Sequence, residues 1–307
     1  MPYLLPEEME SHHYFFAVAI LLLIALYLND LCNERRCACR DIESVINVYS
    51  YDSFNGPQCW KQIFENANGK KQSPINVLYS MAQEVPTESV CPLSFSEEFH
   101  LSPKEMRIYN NSHNVVVYAN WDCNKIPYIT GGPLEEDYKF LNMRFRWGPT
   151  DHEGSEHMIN STRYSMELQI AFVKCSAIEE DLIIAARNGC LLMLSYLFMV
   201  TPIDNPYLEP IVTGLKFIRN PMSYLCIEPI ILSLLIPDFS RDYYCYTGSL
   251  TFPPCTEGVL WIIKPEPLMI SSKQIRQFRR INGCFGNIQN NTRPVQKLNN
   301  REVSYYV

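Results

Sequence analysis

The sequence predicts a mainly β domain of the α+β class, with a few helices at its periphery. Four runs have the composition and alternation of β-strands, at residues 114–121, 139–147, 164–173 and 258–264. Two other runs have helical patterns, Leu208–Phe217 and Ser272–Ile281, and the second begins at a Ser and stops before Gly283. From about Tyr49 onward the chain contains no long linker, low-complexity tract or internal repeat, so we expect a single domain.

The alternation is clearest in the run at 139–147. Met143, Phe145 and Trp147 are predicted to share one face of a strand, because successive side chains of a strand point to opposite faces. The polar residues between them share the other face, at Asn142, Arg144 and Arg146. The sequence therefore predicts a strand with one apolar face and one polar face.

The composition is typical of a folded protein and restricts the classes of partner that it is expected to bind. Of the 307 residues, 47% are hydrophobic and 19% are charged, which does not fit a disordered chain. The formal net charge of −7 argues against nucleic acid as a partner. The 12 cysteines include no C-x-x-C pair and no zinc-ribbon spacing, so we expect most of them to be free, half-buried thiols.

The first 44 residues indicate a membrane anchor ahead of the large domain. We divide the chain into an acidic N-terminal tail at 1–12, a transmembrane or signal-anchor segment at 13–30, a basic cysteine-containing juxtamembrane segment at 31–44, and the large domain at 45–307. The apolar run Tyr14–Leu28 is shorter than the about 20 residues that a spanning helix needs, but its flanks extend it. A cleaved signal peptide and a buried helix are the alternatives, and the acidic start disfavours the signal peptide.

The sequence gives conflicting signals about the side of the membrane on which the large domain lies. Basic residues occur only after the apolar run, at Arg35, Arg36 and Arg40. The positive-inside rule then slightly favours a cytosolic domain. Three glycosylation sequons favour the lumen or the exterior instead, at Asn110, Asn160 and Asn290.

A series of short sequence blocks follows in a fixed order through the large domain. The blocks are Asn55-Gly56-Pro57, Gln72-Ser73-Pro74-Ile75, Asn111-Ser112-His113-Asn114-Val115, Phe145-Arg146-Trp147-Gly148, Gly154-Ser155-Glu156-His157, Gly248-Ser249-Leu250-Thr251-Phe252-Pro253-Pro254 and Arg293-Pro294-Val295-Gln296. Together they resemble the α-class carbonic anhydrases over about Tyr49 to Val303. The resemblance implies a large, twisted, mostly antiparallel central sheet with peripheral helices, here preceded by one apolar helix.

The resemblance also implies a zinc site, and all three of its ligand positions are changed in this sequence. In the family, three neutral imidazoles hold the zinc, and the ion lowers the pKa of its bound water to about 7. Two ligand positions alternate on one strand, at Arg144 and Arg146, and the third is Gln169 on the neighbouring strand. Arginine has no lone pair for a cation, and a Gln carbonyl is a poor zinc ligand. We therefore predict that zinc is lost, that no cofactor is bound and that the chain is not an enzyme.

Other positions of the implied pocket keep the residues of active relatives and are expected to be vestigial. Glu156 and Thr251 match the pair that orients the zinc-bound hydroxide, and His113 matches the proton-shuttle position. Glu167 matches the carboxylate that supports the third ligand. Without a metal, the two carboxylates are expected to form ion pairs with the two arginines, and an anion-binding pocket is the alternative. Phe252 replaces a small polar residue, so we expect a narrower pocket.

The remaining histidines and the cysteines carry weaker predictions. His152 and His157 lie close together in sequence, but a new metal site would need a third ligand. His113, with no metal to serve, is predicted to be a solvated loop residue. Secreted members of the family carry a disulfide whose second position is Cys255 here, whereas its first position is Ala67. Cys59 is the alternative partner, and the missing first cysteine favours a reducing compartment.

The predicted function is a membrane-anchored binding or scaffolding domain for a protein partner or an anionic ligand. One alternative is a residual carbonic anhydrase or esterase-type hydrolase that acts through His113 and Thr251. The other is a purely structural component of a membrane-linked assembly. No nucleic acid partner is expected, and fold-level resemblance gives a class of partner but not its identity.

Overall fold

The computed structural model describes residues 49–178 and 181–307. The chain divides into two units, Met1–Val48 and Tyr49–Val307. The predicted acidic tail at 1–12, the predicted membrane segment at 13–30 and the juxtamembrane segment at 31–44 lie outside the described residues. Within the described residues, we find no helix with the length and apolar character needed to cross a membrane.

A twelve-stranded mixed sheet is the main feature of the second unit. The described residues form β1 (Asn76–Val77), β2 (Gln83–Val85), β3 (Ser94–Phe95), β4 (Glu105–Asn110), β5 (Val115–Asn120), β6 (Tyr128–Thr130), β7 (Tyr138–Trp147), β8 (Met158–Ile159), β9 (Met166–Lys174), β10 (Leu191–Thr201), β11 (Tyr224–Ile227), β12 (Tyr243–Ser249), β13 (Glu257–Ser271), β14 (Asn282–Gly283), β15 (Gly286–Asn287) and β16 (Ser304–Tyr306). The order in the sheet is β11-β4-β5-β7-β9-β10-β13-β12-β16-β2, with β6 on β7 and β3 on β6. Only the pairs β10–β13 and β16–β2 of this sheet are parallel, so the predicted mainly β fold with a large, mostly antiparallel sheet is confirmed.

The helices are few and short, as predicted. They are α1 (Trp60–Ile63), α2 (Leu182–Arg187), α3 (Glu209–Gly214), α4 (Leu232–Leu235) and α5 (Ser272–Phe278), with 3-10 turns at Glu65–Asn68, Tyr79–Met81, Thr87–Ser89, Glu97–His100, Pro206–Leu208 and Leu215–Phe217. The predicted helix at Leu208–Phe217 is α3 continued by a 3-10 turn. The side chain of Ser271 caps α5 in a capping box with Gln274. This helix ends at Phe278, before the predicted end at Ile281, and the chain continues in tighter turns in which the N–H groups of Arg280 and Ile281 donate to the carbonyl oxygens of Gln277 and Phe278.

All four predicted strands are present, and β13 is much longer than its prediction. Prolines at 265 and 267 argue against a central strand, because proline cannot donate to the ladder. The structure accommodates them at an irregularity, where the register with β10 shifts between Tyr196 and Phe198. Lys264 pairs with Tyr196 and Leu268 pairs with Phe198, so the prolines fall in the bulge between the two pairs.

Both faces of β7 are buried, which the alternation alone did not reveal. Its apolar residues Met143, Phe145 and Trp147 are fully buried in the main hydrophobic core. The residues on its polar face are buried as well, with exposures of 4% for Asn142, 5% for Arg144 and 1% for Arg146. Such charges need partners in the interior, so the surroundings of this face define the site.

Candidate functional site

Two neighbouring strands supply a buried polar cluster. In the register of β7 and β9, Arg144 lies opposite Gln169. Arg146 lies opposite Glu167. Directly opposed residues of an antiparallel pair project from the same face, so the structure brings all four side chains together on one side of the sheet. The implied zinc-ligand positions are thus adjacent in space.

Arg146 lies at the centre of the cluster and has a carboxylate partner. Its Nε donates to Oε1 of Gln169 at 3.0 Å and lies 3.3 Å from Oε2 of Glu156. Burial by itself lowers the pKa of Arg146, but the attraction of Glu156 and of Tyr51 outweighs burial, so the pKa lies above its usual value. The guanidinium therefore stays charged and is paired in the interior.

The outer nitrogens of Arg146 also have acceptors. Nη1 donates to the hydroxyl oxygen of Tyr51 at 2.8 Å and to the carbonyl oxygen of Asn291 at 3.2 Å. Nη2 donates to Oγ1 of Thr251 at 3.3 Å. A guanidinium offers its donors in a fixed planar fork, so these contacts fix the orientation of the side chain.

Glu156 is held by donors on both of its oxygens. Oε1 accepts from the backbone N–H of Arg293 at 2.8 Å, and Oε2 accepts from Nε2 of Gln169 at 2.7 Å. Burial raises the pKa of Glu156, and the nearby Glu167 adds to this effect, whereas Arg146 opposes it. The pKa of Glu156 lies above its usual value, so burial outweighs the contact with the arginine.

Glu167 is balanced by a different set of groups. It accepts from the backbone N–H groups of Glu156 and His157, both at 2.8 Å, and from Oγ of Ser195 at 2.9 Å. Its Oε1 lies 2.8 Å from Nδ1 of His157, and Nε2 of Gln169 donates to the same oxygen at 2.9 Å. Burial alone would raise the pKa of Glu167, but His157 and the hydrogen bonds lower it below its usual range.

Arg144 differs from Arg146 in that no carboxylate of the described residues forms an ion pair with it. Its Nε donates to Oδ1 of Asn142 at 3.1 Å, and its guanidinium carbon lies 4.9 Å from the centre of the Phe252 ring. Burial lowers the pKa of Arg144 and the charge of Arg146 lowers it further, against the opposing effect of Tyr118. Among residues 49–178 and 181–307, the site thus holds one buried cation without an acidic partner.

The expected network of ion pairs is therefore only partly present. Arg146 pairs with Glu156, as the sequence suggested, but Glu167 contacts His157 instead of an arginine, and Arg144 has no acidic partner among the described residues. The register brings Glu167 opposite Arg146, yet the carboxylate turns towards three nearby donors of the loop and of β10. Short, convergent hydrogen bonds to a carboxylate compete well with a more distant guanidinium.

His113 is buried, so its prediction as a solvated loop histidine is wrong. It is 5% exposed and its ring stacks on the ring of Tyr49, with centroids 4.0 Å apart and planes at 15°. The backbone N–H of His113 donates to Oδ1 of Asn111 within the same turn. The sequence did not indicate this arrangement, because the covering tyrosine comes from a segment more than sixty residues earlier.

Several partners of the cluster were not singled out in the sequence. Tyr51 and Asn291 contact Arg146 from opposite ends of the domain, at separations of 95 and 145 residues. His157 was considered as a metal ligand, but its Nδ1 contacts Glu167 and its Nε2 lies 2.7 Å from the hydroxyl of Tyr246. The position of Tyr51, just before the first family block, was the only signal for its role.

The comparisons with known proteins decide the family. The family model for eukaryotic-type carbonic anhydrases matches residues 55–307. The chain belongs to the carbonic anhydrase family. It is 33% identical over 266 residues to carbonic anhydrase 7 of Homo sapiens, a match that covers 83% of this chain and 96% of that protein. The family resemblance found in the sequence blocks is confirmed, and the mainly β fold with its large sheet agrees with it.

The same comparisons overturn one prediction. The sequence blocks led us to expect that the chain is not an enzyme, but the matching family and the human relative are both described as carbonic anhydrases, which is the name of an enzyme. That prediction was drawn from three positions alone, whereas the similarity to the catalytic family extends over most of the chain.

Zinc, which carbonic anhydrases hold through three imidazoles, does not fit the side chains at these three positions. The guanidinium groups of Arg144 and Arg146 have no lone pair to offer a cation. The carbonyl oxygen of Gln169 already accepts from Arg146, and its amide nitrogen donates to two carboxylates. Within residues 49–178 and 181–307, no group of three or more His, Cys, Asp or Glu side chains is arranged to hold a metal ion. His152 and His157 are therefore not part of such a group.

The disulfide considered from the sequence is not formed. Cys59 and Cys255 are both free thiols, and Ala67 is fully buried at the position where secreted relatives were expected to begin the bridge. Burial raises the pKa of the Cys255 thiol to about 11. This thiol therefore behaves as a small, protonated core side chain.

Proposed function

We propose that this carbonic anhydrase family domain binds an anionic group, of a small ligand or of a protein partner, at Arg144 and without a resident zinc. The observation that carries the proposal is that Arg144 has no carboxylate partner among the described residues. Arg146 lies beside Glu156, and Glu167 contacts His157, whereas the described contacts of Arg144 are an amide oxygen and an aromatic face. A buried charge without a partner costs free energy, and an anion that reaches it recovers part of that cost.

Phe252 limits the kind of anion that fits. Its ring lies 4.9 Å from the guanidinium carbon of Arg144 and 5.6 Å from that of Arg146, so it covers both groups. Phe252 is itself only half-buried. A ligand has to approach Arg144 beside this ring, which favours a small anion or a single carboxylate over a bulky polyanion.

The experiment that tests the proposal is thermal unfolding of the full-length chain in different sodium salts at constant ionic strength. We expect acetate or bicarbonate to raise the melting temperature of the wild type, because a ligand at 100 times its Kd stabilises by about 2.7 kcal/mol. Arg144→Gln should abolish this response. Arg107→Gln is the matched control, since Arg107 lies on β4 against the rings of Tyr118 and Tyr224.

An equal anion response in all three proteins would contradict binding at Arg144. The absence of zinc is tested on the same wild-type sample by elemental analysis after dialysis. We expect far less than one zinc per chain, because two guanidinium groups repel a dication. One zinc per chain would contradict this part of the proposal.

The comparisons favour a second candidate, the carbonic anhydrase reaction itself. Its support is the family membership, together with the presence of Glu156 and Thr251 at the positions that the resemblance assigns to the reaction. CO2 hydration by the purified chain tests it. A rate above that of buffer which is lost in Thr251→Ala would support this candidate, whereas a rate equal to that of buffer would leave only the binding role.

We further propose that residues 13–30 anchor the chain in a membrane, with the large domain in the cytosol. The sequence supports this through the apolar run and the basic residues that follow it. Extraction from membranes only by detergent, and not by alkaline carbonate, is the expected result. The domain's side is tested by an enzyme that removes N-glycans. We expect no shift in mobility, whereas a shift lost in Asn160→Gln would place the domain outside the cytosol.

Among the sequons, Asn160 is the informative one. Asn160 is exposed, with its backbone in the left-handed region at a φ of 47°. Asn110 is fully buried, and its Nδ2 donates to carbonyl oxygens of other segments, so the folded domain does not present it to a transferase. A glycan on the folded domain is therefore expected at Asn160 first.

A further inference from the structure

A second concave region adjoins the buried cluster at Tyr51 and lies between the segment that contains α1 and the segment at 290–299. This groove has a volume of about 660 Å³, within the range of about 300–1,000 Å³ that is usual for ligand pockets. Lys61, Gln72 and Lys297 are among the residues that line it. Tyr51, whose hydroxyl contacts Arg146, also lines the groove.

The charge of the groove differs from that of the chain. The formal net charge of the chain is −7, yet the lining contains Lys61 and Lys297 and no Asp or Glu. Both lysines are exposed, and neither forms an ion pair within the described part of the chain, in contrast to Lys174 and Lys273. The groove therefore attracts acidic groups although the net charge of the chain is negative.

A buried acceptor without a partner lines the same groove. Gln72 is 3% exposed, and its Nε2 donates to the carbonyl oxygens of Asn66 and Cys255 and to Oε1 of Glu257. These three acceptors fix the orientation of the amide, and Oε1 of Gln72 has no hydrogen-bond partner among the described residues. A buried acceptor that remains unpaired costs about 1–3 kcal/mol, so it favours a ligand that supplies a donor.

Tyr51 supplies the complementary group. Its hydroxyl oxygen accepts from Nη1 of Arg146 at 2.8 Å, so its own proton is left to donate to another acceptor. Tyr51 and Gln72 thus give the groove one donor and one acceptor. An extended peptide presents this pair of groups at every residue, as a carbonyl oxygen and an N–H.

The walls favour a peptide over a sulfated saccharide. Pro57, Pro294 and Val295 line the groove and offer apolar contact to side chains. Two lysines are enough for one or two carboxylates, whereas a saccharide that carries many sulfates has little apolar surface to place against these walls. The chemistry of the lining fits a short segment that alternates acidic and apolar side chains.

We propose that this groove binds an acidic, extended peptide segment of a protein partner. Carboxylates of the segment contact Lys61 and Lys297, and one of its main-chain amides bonds to Gln72 and Tyr51. The inference rests on the proposed binding function, since it names the class of protein partner, but it uses residues other than Arg144.

The test is a selection of random eight-residue peptides on the immobilised full-length chain, followed by fluorescence anisotropy with a labelled peptide from the selection. We expect enrichment of Asp and Glu. The double variant Lys61→Glu with Lys297→Glu should bind the peptide at least tenfold more weakly. The double variant Lys125→Glu with Lys216→Glu changes the net charge equally outside the groove and should bind as the wild type does.

Two further measurements separate this inference from the proposal for Arg144. Arg144→Gln should keep its affinity for the peptide, and the groove variant should keep the anion-dependent rise in melting temperature. No enrichment of acidic residues, or equal weakening by both double variants, would overturn the inference. Tight binding of a heparin oligosaccharide that displaces the peptide would overturn it in favour of a saccharide.

Discussion

Arg144 and Arg146 lie two residues apart on the same face of β7, but their surroundings differ in charge and in hydrogen bonding. Arg146 has Glu156 at 3.3 Å, and its guanidinium donates to Gln169, to Thr251 and to groups from both ends of the domain. In the described part of the chain, the guanidinium of Arg144 contacts one amide oxygen and an aromatic ring.

The opposite shifts of the two pKa values follow from this difference. Partners outweigh burial at Arg146 and raise its pKa, whereas burial dominates at Arg144 and lowers it. Burial of a charge is therefore not by itself a sign of a structural ion pair. At Arg146 the surrounding groups pair with the charge and hold the side chain in place. At Arg144 the described groups leave the charge without an acidic partner, which is why we propose that an anion binds there.

The largest effect is expected from removing the charge of Arg146. Arg146→Met keeps most of the side-chain volume but leaves Glu156 buried without its cation. Breaking a buried pair in this way costs about 3–5 kcal/mol. Arg144→Met, the matched variant, should leave the free energy of unfolding unchanged or raise it, because it removes a buried charge that has no acidic partner among the described residues. Equal losses in urea denaturation would show that the two sites do not differ.

A second experiment tests whether β7 and β9 place residues 144, 146 and 169 close enough together to bind one zinc ion. Arg144→His, Arg146→His and Gln169→His together should produce zinc uptake, because three imidazoles then converge and Glu167 remains to support the third. The control replaces the same three residues with Ala and should take up no zinc. A folded triple-His variant that binds no zinc would contradict the register of Arg144 opposite Gln169.

A smaller effect is expected on the stability of the fold in acid. It tests whether Glu167 is stabilised independently of the arginines. The pKa of Glu167 in the fold lies below its ordinary value of 4.5, at about 2, so its ionised form stabilises the fold. That stabilisation is complete above about pH 4.5 and is lost as the pH falls towards about 2. Glu167→Gln should therefore flatten the acid side of the stability profile.

The control for this prediction is Arg144→Met. Because Glu167 is balanced by His157 and hydrogen bonds, this variant should keep the acid dependence of the wild type. A flattened profile in Arg144→Met would mean that Glu167 pairs with Arg144 after all. Glu97→Gln, which changes an exposed carboxylate, should leave the profile unchanged.

The sequence predicted the parts of this fold that depend on local pattern. The alternation in β7 identified the strand and the two faces on which Met143 and Arg144 lie. The full length of β13 was not predictable, because its prolines are tolerated only where β10 shifts its register. That shift is a property of two strands together and leaves no signal in either one.

In the candidate site, too, the sequence predicted what depends on local pattern but not what depends on contacts between distant segments. The family blocks identified Arg144, Arg146 and Gln169 as neighbours, since strand spacing and order suffice for that. They did not reveal which carboxylate pairs with which arginine, because the choice depends on the loop that carries His157 and on Ser195 of β10. The burial of His113 beneath Tyr49 likewise depends on a contact between distant segments.

The difference between the two arginines is tested most directly by crystals of the wild-type chain grown in sodium bromide, with anomalous diffraction measured at the bromine edge. We predict an anomalous peak within hydrogen-bonding distance of the Arg144 guanidinium and none at Arg146, which has Glu156 as its partner. A guanidinium of Arg144 that contacts a carboxylate of the chain, with no bromide beside it, would contradict the account.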